Sequence, residues 1–449
     1  MQMATLSRWT LAYFGCALTA LVVALALIGL GWAYPQNPLA APSTLIVVHL
    51  LAIGWLSLLM LGALMQFLPV LVGRELALPG LAPVALGTIL VGLFLMLCGF
   101  AALDGWLGSA ELLPLGGLVV IAGFGIAAVP LFATLLRAKS LPLPAGFVTV
   151  ALMSLLVAAM LGDTLAAALA GLIGGDFAVA LVTHGVTLHA GFGLGGWLTL
   201  AAMGVSYRLV SMFLISPERT GWVPRVAFLS AVAGLALACA ALGVLLWLNA
   251  PWPLGLAVVG LAALLALGAY LGDVVTLYRR RRRAQLELHM IAAIGAFIML
   301  VLGVLLLTLA TWLGWEGAVA AAVHLLGLGW LSGLGLAMLY KIIPFLTWLE
   351  CFAPSMGRLP TPRVQDMVRE APARLGFGLY FGAVTAGAVA IAASVPALLQ
   401  LAAVLQMAAV LYLIHHFYRA RRLADLPLLW QDHPRPRLLW PARNFRSPT

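Results

Sequence analysis

Four histidines sit inside long apolar stretches of this chain: His49, His184, His189 and His324. Ionisable or metal-binding side chains are costly in hydrocarbon, so such residues mark a site by default. A neutral imidazole offers one ring nitrogen as a lone-pair donor, which iron and copper both accept. His49 and His324 open nearly identical runs, HLLAIGWLS and HLLGLGWLS. Two imidazoles from facing helices can hold a haem iron axially, with the flat macrocycle in the slot between the helices. Ala52 and Gly54, and Gly327 and Gly329, are the small neighbours that would make room for it. The competing reading is a pair of hydrogen-bonded structural histidines.

His184 and His189 are five residues apart, roughly 140° around a straight helix at ~100° per residue. They share one metal only if the helix bulges. Each is a candidate metal ligand, gas-pocket residue or proton-relay group. All four histidines lie ~5–13 residues into their apolar runs, roughly 8–20 Å deep at ~1.5 Å per residue.

The matching runs belong to a longer pattern. Relative to Trp55 and to Trp330, a His stands at −6 and a Ser at +2 (Ser57, Ser332). A polar residue follows at +11 (Gln66, Lys341) and a Pro at +14 (Pro69, Pro344). A third copy carries Trp197, Thr199 and Arg208 at the same offsets, but Gly191 at −6 and Ser211 at +14. The three Trp residues are 142 and 133 positions apart, which divides the chain into three units of four spans, 1–139, 140–284 and 285–449. Self-similarity of this period signals a repeat architecture, and internal repeats build many carriers.

The elements that position these residues follow from composition. Of 449 residues, 64% are hydrophobic and only 8% are charged, with a mean hydropathy of +1.11. A soluble domain is roughly a quarter charged, so that class is excluded. The apolar runs are continuous rather than alternating, which excludes a β-barrel. The fold class is an all-α polytopic membrane protein, because backbone in lipid must satisfy itself. Twelve spans are expected, at about 10–33, 44–72, 81–103, 112–136, 143–170, 177–206, 223–249, 253–278, 286–312, 317–347, 373–394 and 397–420. The first is too long for a signal-peptide core and reads as a retained span.

Threading the 24 Lys and Arg residues through these spans puts every one on the side of the N-terminus, including Arg358, the run Arg279–Arg283 and the C-terminal tail. The other side carries Asp104, Glu111, Asp163, Asp176 and Glu316. Cytoplasmic loops are the basic ones, so both termini are expected in the cytoplasm and the histidines in the outer half of the bilayer. The net charge of +10 is thus an orientation signal towards anionic lipid, not a nucleic-acid footprint. His289, His415, His416 and His433 are expected to snorkel or be solvated at the basic side. Asp163 and Asp176 read as exposed loop-end carboxylates, with proton delivery to His184 as the sharper alternative. The four cysteines have no metal or disulfide spacing, no CxxCH for covalent haem occurs, and no GxxxxGK[ST] is present.

With histidines in spans 2, 6 and 10 of twelve, the chain resembles subunit I of the haem-copper oxidase superfamily. That resemblance implies a low-spin haem b between His49 of span 2 and His324 of span 10. It departs in span 7, which has no histidine where the oxidases bind copper, and at Ala322, where they carry a second haem ligand. A closer likeness is to the NnrS family of haem proteins linked to nitric-oxide tolerance. His49, Gly54, Trp55 and Pro69 match its span-2 motif, and His189-Ala190, Gly195 and Arg208 resemble its span-6 motif. Val47 stands where that family has a further His, and His189 is displaced by two residues. The resemblance implies a bacterial-type inner-membrane protein binding haem b, with copper as a further metal. It implies nitric oxide or another diatomic gas as ligand and a quinol or cytochrome as electron donor. Haem propionates would meet no outer Lys or Arg, leaving Gln36, Asn37, Asn249, Gln400 and outer tryptophans such as Trp32 and Trp106 as donors. Two alternatives stay open: a haem-free transporter for a metal or small solute, and a nitric oxide reductase or quinol-linked oxidase whose second centre uses His184 or His189.

Overall fold

The computed structural model describes residues 2–106, 108–357, 360–427 and 430; Arg358, His433 and the basic tail lie outside the described residues. Among the described residues there is no strand. Twelve helices are long and apolar enough to cross a membrane. They are α1 (Arg8–Gly29), α2 (Pro42–Val72), α3 (Leu81–Leu103), α4 (Leu112–Leu136), α5 (Leu143–Leu169) and α6 (Gly175–Leu214). There follow α7 (Trp222–Leu248), α8 (Pro253–Arg279), α9 (Leu288–Leu313), α10 (Glu316–Cys351), α11 (Glu370–Ala392) and α12 (Pro396–Arg421). The chain is a multi-pass helical membrane protein.

These helices match the expected spans, with one instructive difference. Helix α6 continues to Leu214, past Arg208, where polarity suggests an end. The Arg208 guanidinium pairs with Glu218 beyond the helix, so the charge is met without breaking the backbone ladder.

The helices gather into two compact units. One holds Met1–Leu39 and Glu287–Thr449, with α1 and α9–α12; the other holds Ala40–Leu286, with α2–α8. In the second unit α3 and α4 approach backbone to backbone. A Cβ on Gly99 would lie 2.3 Å from the Leu113 nitrogen, and one on Gly116 would lie 2.3 Å from the Met96 nitrogen. Small residues let helices meet this closely in lipid, where dispersion rather than water exclusion drives packing. In the first unit α12 packs on α1 and α11, and α9 packs on α10.

Helices α2, α6 and α10 are the longest, at 31, 40 and 36 residues. Each loosens into a π-helical stretch around its repeat tryptophan: Leu50–Ser57, Gly191–Thr199 and Leu325–Ser332. A π turn bonds i to i+5 and is frequent at functional positions. The hydroxyl at +2 fits this register in every copy. Ser57 Oγ donates to Ala52 O, Thr199 Oγ1 to Leu194 O and Ser332 Oγ to Gly327 O, each at 2.7 Å and five residues back. Trp55, Trp197 and Trp330 are all fully buried. The repeat read from spacing is therefore a repeat of local structure too.

Several polar residues sit elsewhere than expected. Asp163 is not at a loop end. It lies within α5, six residues before Leu169, with Oδ1 buried. His289 is buried, with Nδ1 3.5 Å from Glu287 Oε2, rather than snorkelling. His416 is buried as well, its ring against Tyr412. The reason is shared: helix ends at the basic side are packed against neighbouring helices, so a histidine there faces protein instead of water. His415 and Asp176 are exposed, in line with their sequence reading.

Candidate histidine centre

Two of the four sequence-predicted histidines meet in the unit containing α2–α8. His49 leaves the last α-helical turn before the π stretch of α2, and its Nδ1 lies 2.8 Å from Leu45 O. His189 projects from the short α segment between the two π stretches of α6, and its Nδ1 lies 3.0 Å from Ala158 O on α5. The ring centroids are 6.3 Å apart and the planes incline by 29°. Phe100 of α3 closes one side of His49 at 5.1 Å. Gly162 of α5 makes the approach of His189 possible, since a Cβ there would stand 2.7 Å from its Cε1.

A backbone carbonyl accepts only from a protonated nitrogen, so Nδ1 carries the hydrogen in both rings. That leaves the Nε2 lone pair of each available to a metal. Fixing the tautomer through the distal nitrogen is the usual support for a histidine ligand.

His184 stays apart. It is half-buried in the first π-helical turn of α6, Leu181–Gly185, and makes no hydrogen bond or ring contact among the described residues. The bulge that could have brought it beside His189 is present, but His189 turns to α5 and α2 instead.

His324 belongs to the other unit. Its Nε2 is buried without a hydrogen-bond partner, and the main chain of Val384 is its hydrogen-bonding neighbour. Gly387 of α11 leaves it room, because a Cβ there would lie 2.9 Å from Nε2. His324 thus also has an imidazole nitrogen with no protein acceptor or donor.

The expected glycine roles divide. Gly54 is buried in the π stretch of α2. Gly329 admits Met299 of α9, whose Cβ would be 2.8 Å from an added Cβ, so its space is filled by helix packing. Gly327, three residues past His324, and Gly193, four past His189, face open space. These are the positions that could lie against a flat ring. Within the unit of α2–α8, the two imidazoles and their tautomers are of the kind that fits a haem or other metal. The outer amides fit propionates less well. Gln400 Nε2 donates to Gln36 Oε1 at 2.8 Å, and Asn37 Nδ2 donates to Gly31 O at 2.8 Å.

A polar network absent from the sequence reading lies at the basic ends of α6 and α8. Asp273 is fully buried and accepts from Arg219 Nε at 2.6 Å and Tyr207 Oη at 3.0 Å. Ser206 Oγ and Tyr270 Oη share a hydrogen bond of 2.6 Å beside it. The signal was available, since an acid inside an apolar span needs a partner. Lys341, the polar +11 residue of α10, pairs with Glu287 at 2.5 Å.

No protein-family model matches the chain, and no curated protein matches it. The reading of function therefore rests on the residues themselves.

Proposed function

We propose that this chain is a membrane-embedded haem b protein with His49 as an axial ligand, serving nitric oxide response or respiratory redox chemistry. The supporting observation is the facing of His49 and His189 with both Nδ1 atoms held by backbone carbonyls. These two rings would hold a metal through their Nε2 lone pairs. Haem would supply one-electron exchange and a site for a diatomic gas. The chain's own residues hold the imidazoles in the ligating tautomer, and the apolar helices around them exclude water.

The repeat favours His324 as the second ligand, while proximity favours His189. The same proximity supports a second reading, a copper ion on His49 and His189 alone, since imidazole suits copper as well as iron. An absorption spectrum with metal analysis of the purified protein separates these. A Soret band lost in His49→Ala and in His324→Ala supports the repeat pairing. Loss in His49→Ala and His189→Ala supports the facing pair. Stoichiometric copper without a Soret band supports the second reading. Colourless, metal-free protein that accumulates a solute in proteoliposomes overturns both and leaves the transporter.

A further inference from the structure

Asp163 is the acid that none of this uses. It lies inside α5, a candidate membrane span, one residue from the Gly162 that seats His189. Its Oδ1 is buried and has no hydrogen-bond partner. That oxygen is pressed against α4, where a Cβ on Gly117 would come within 2.2 Å of it. The residue as a whole is half-buried, so the carboxyl is held between the protein interior and the surface.

The surroundings offer no countercharge. Helix α4 contains no charged residue at all. Helix α6 carries Asp176, His184, His189 and Arg208; α7 carries Arg225. Arg208 and Arg225 both lie towards the basic ends of their helices, and Arg208 is paired with Glu218. By position in the chain, the ionisable groups at the same end of these helices are Glu111, Asp176, His184 and His189, and α2, which also packs on α5, brings only His49. An ionised carboxylate there would be neither hydrogen-bonded at Oδ1 nor neutralised, which is strongly disfavoured in an apolar setting. A carboxylic acid avoids that cost by keeping its proton.

We propose that Asp163 is a proton-exchange site of the membrane domain, resting as the neutral acid. It exchanges its proton with water at the near end of α5, six residues away, with no other bond made or broken. The site stands on α5 and α4 alone and holds whether or not the histidines bind a metal. Along α5 it stands one residue from Gly162, against which His189 is seated.

The test is reaction of the intact protein with an apolar carbodiimide, which modifies protonated carboxyls in apolar surroundings, followed by peptide mass mapping. The expected result is an adduct at Asp163 that forms faster at lower pH and is absent from Asp163→Asn. Infrared difference spectra should show a protonated-carboxyl band, shifted in D2O and missing in Asp163→Asn. An unmodified Asp163 with only a carboxylate signature at neutral pH overturns the proposal. If Asp163→Asn fails to fold, the wild-type adduct and its pH dependence decide alone.

Discussion

The basic ends of the helices and the span that carries Asp163 treat buried carboxylates in opposite ways. At the basic ends each buried acid has its cation: Asp273 has Arg219, Glu287 has Lys341, Glu350 has Arg421, and Asp425 has Arg419. By contrast, Nε2 of His324 in one unit and Oδ1 of Asp163 in the other have no partner, and the rings of His49 and His189 stand 6.3 Å apart. Buried polar groups are normally satisfied, so unsatisfied ones call for an explanation. The difference holds for the acids: those at the basic ends are paired within the fold and Asp163 Oδ1 is not, whereas His416 at the basic side has no partner on either ring nitrogen.

The largest expected effect tests the satisfied side. Asp273→Ala should strand the Arg219 guanidinium and the Tyr207 hydroxyl, and breaking a buried pair from one side costs about 3–5 kcal/mol. Thermal unfolding of the detergent-solubilised protein should show this as a large drop in midpoint. Asp163→Asn in the same assay should leave the midpoint nearly unchanged, because no partner is lost. Equal losses would erase the distinction between the two regions.

Next come the glycines that admit the histidines. Gly387→Val should push a methyl group into the space of His324 Nε2, and Gly162→Val should do so at His189. Overpacking of this kind typically costs ~1–3 kcal/mol. Metal or haem content should fall several-fold in whichever variant disturbs the second ligand, with the helical circular dichroism retained. Unchanged cofactor content in both would show that neither ring position matters.

How far the sequence foretold this arrangement depends on what each feature rests upon. The twelve spans were legible because length and hydropathy suffice in a solvent with no hydrogen bonds to offer. The equivalence of Trp55, Trp197 and Trp330 was legible from offsets, and so was the Ser57–Ser332 match. That those offsets encode π-helical turns was not legible, since a single i−5 hydroxyl bond looks like any Ser in a helix. The approach of His189 to His49 was hidden because it depends on Gly162 and on the Ala158 carbonyl of a third helix. Asp273 was visible as a residue, but its partners Arg219 and Tyr207 stand 54 and 66 positions away.

A smaller contrast lies within the repeat itself. Trp197 Nε1 donates to Ser57 Oγ at 2.9 Å, whereas Trp330 Nε1 is buried without a partner. A net hydrogen bond is worth roughly 0.5–1.5 kcal/mol, while an unsatisfied donor contributes nothing favourable. Trp197→Phe should therefore destabilise by about 1 kcal/mol beyond any packing loss, and Trp330→Phe by less. Unfolding midpoints of the two variants compare them directly. A larger loss for Trp330→Phe would mean that its nitrogen has a role the fold does not reveal.

The smallest effect is a pH dependence at the basic side, where Asp366 closes a short turn over Val364–Met367. The Arg363 side chain bonds both Asp366 oxygens, and the Arg363 backbone nitrogen donates to Oδ2 at 3.0 Å. These bonds, the guanidinium's first, hold the Asp366 carboxyl below its ordinary value. Because the folded form binds its proton less readily than the unfolded form, the turn's contribution is complete above the ordinary carboxyl value of ~3.9. It is lost as pH falls through the lower folded value. Amide protection of Val364–Met367 should thus be flat from neutral pH down to about 4 and decline below it. Asp366→Asn should remove that decline. Arg363 is 74% and Asp366 35% exposed, and screening keeps such pairs weak. The loss should therefore stay confined to this turn and leave the histidine region untouched. Carbodiimide reactivity of Asp163 should run the other way, rising as pH falls while the turn loosens. One titration of the intact protein then reads an ionised, paired acid and a neutral, unpaired one side by side.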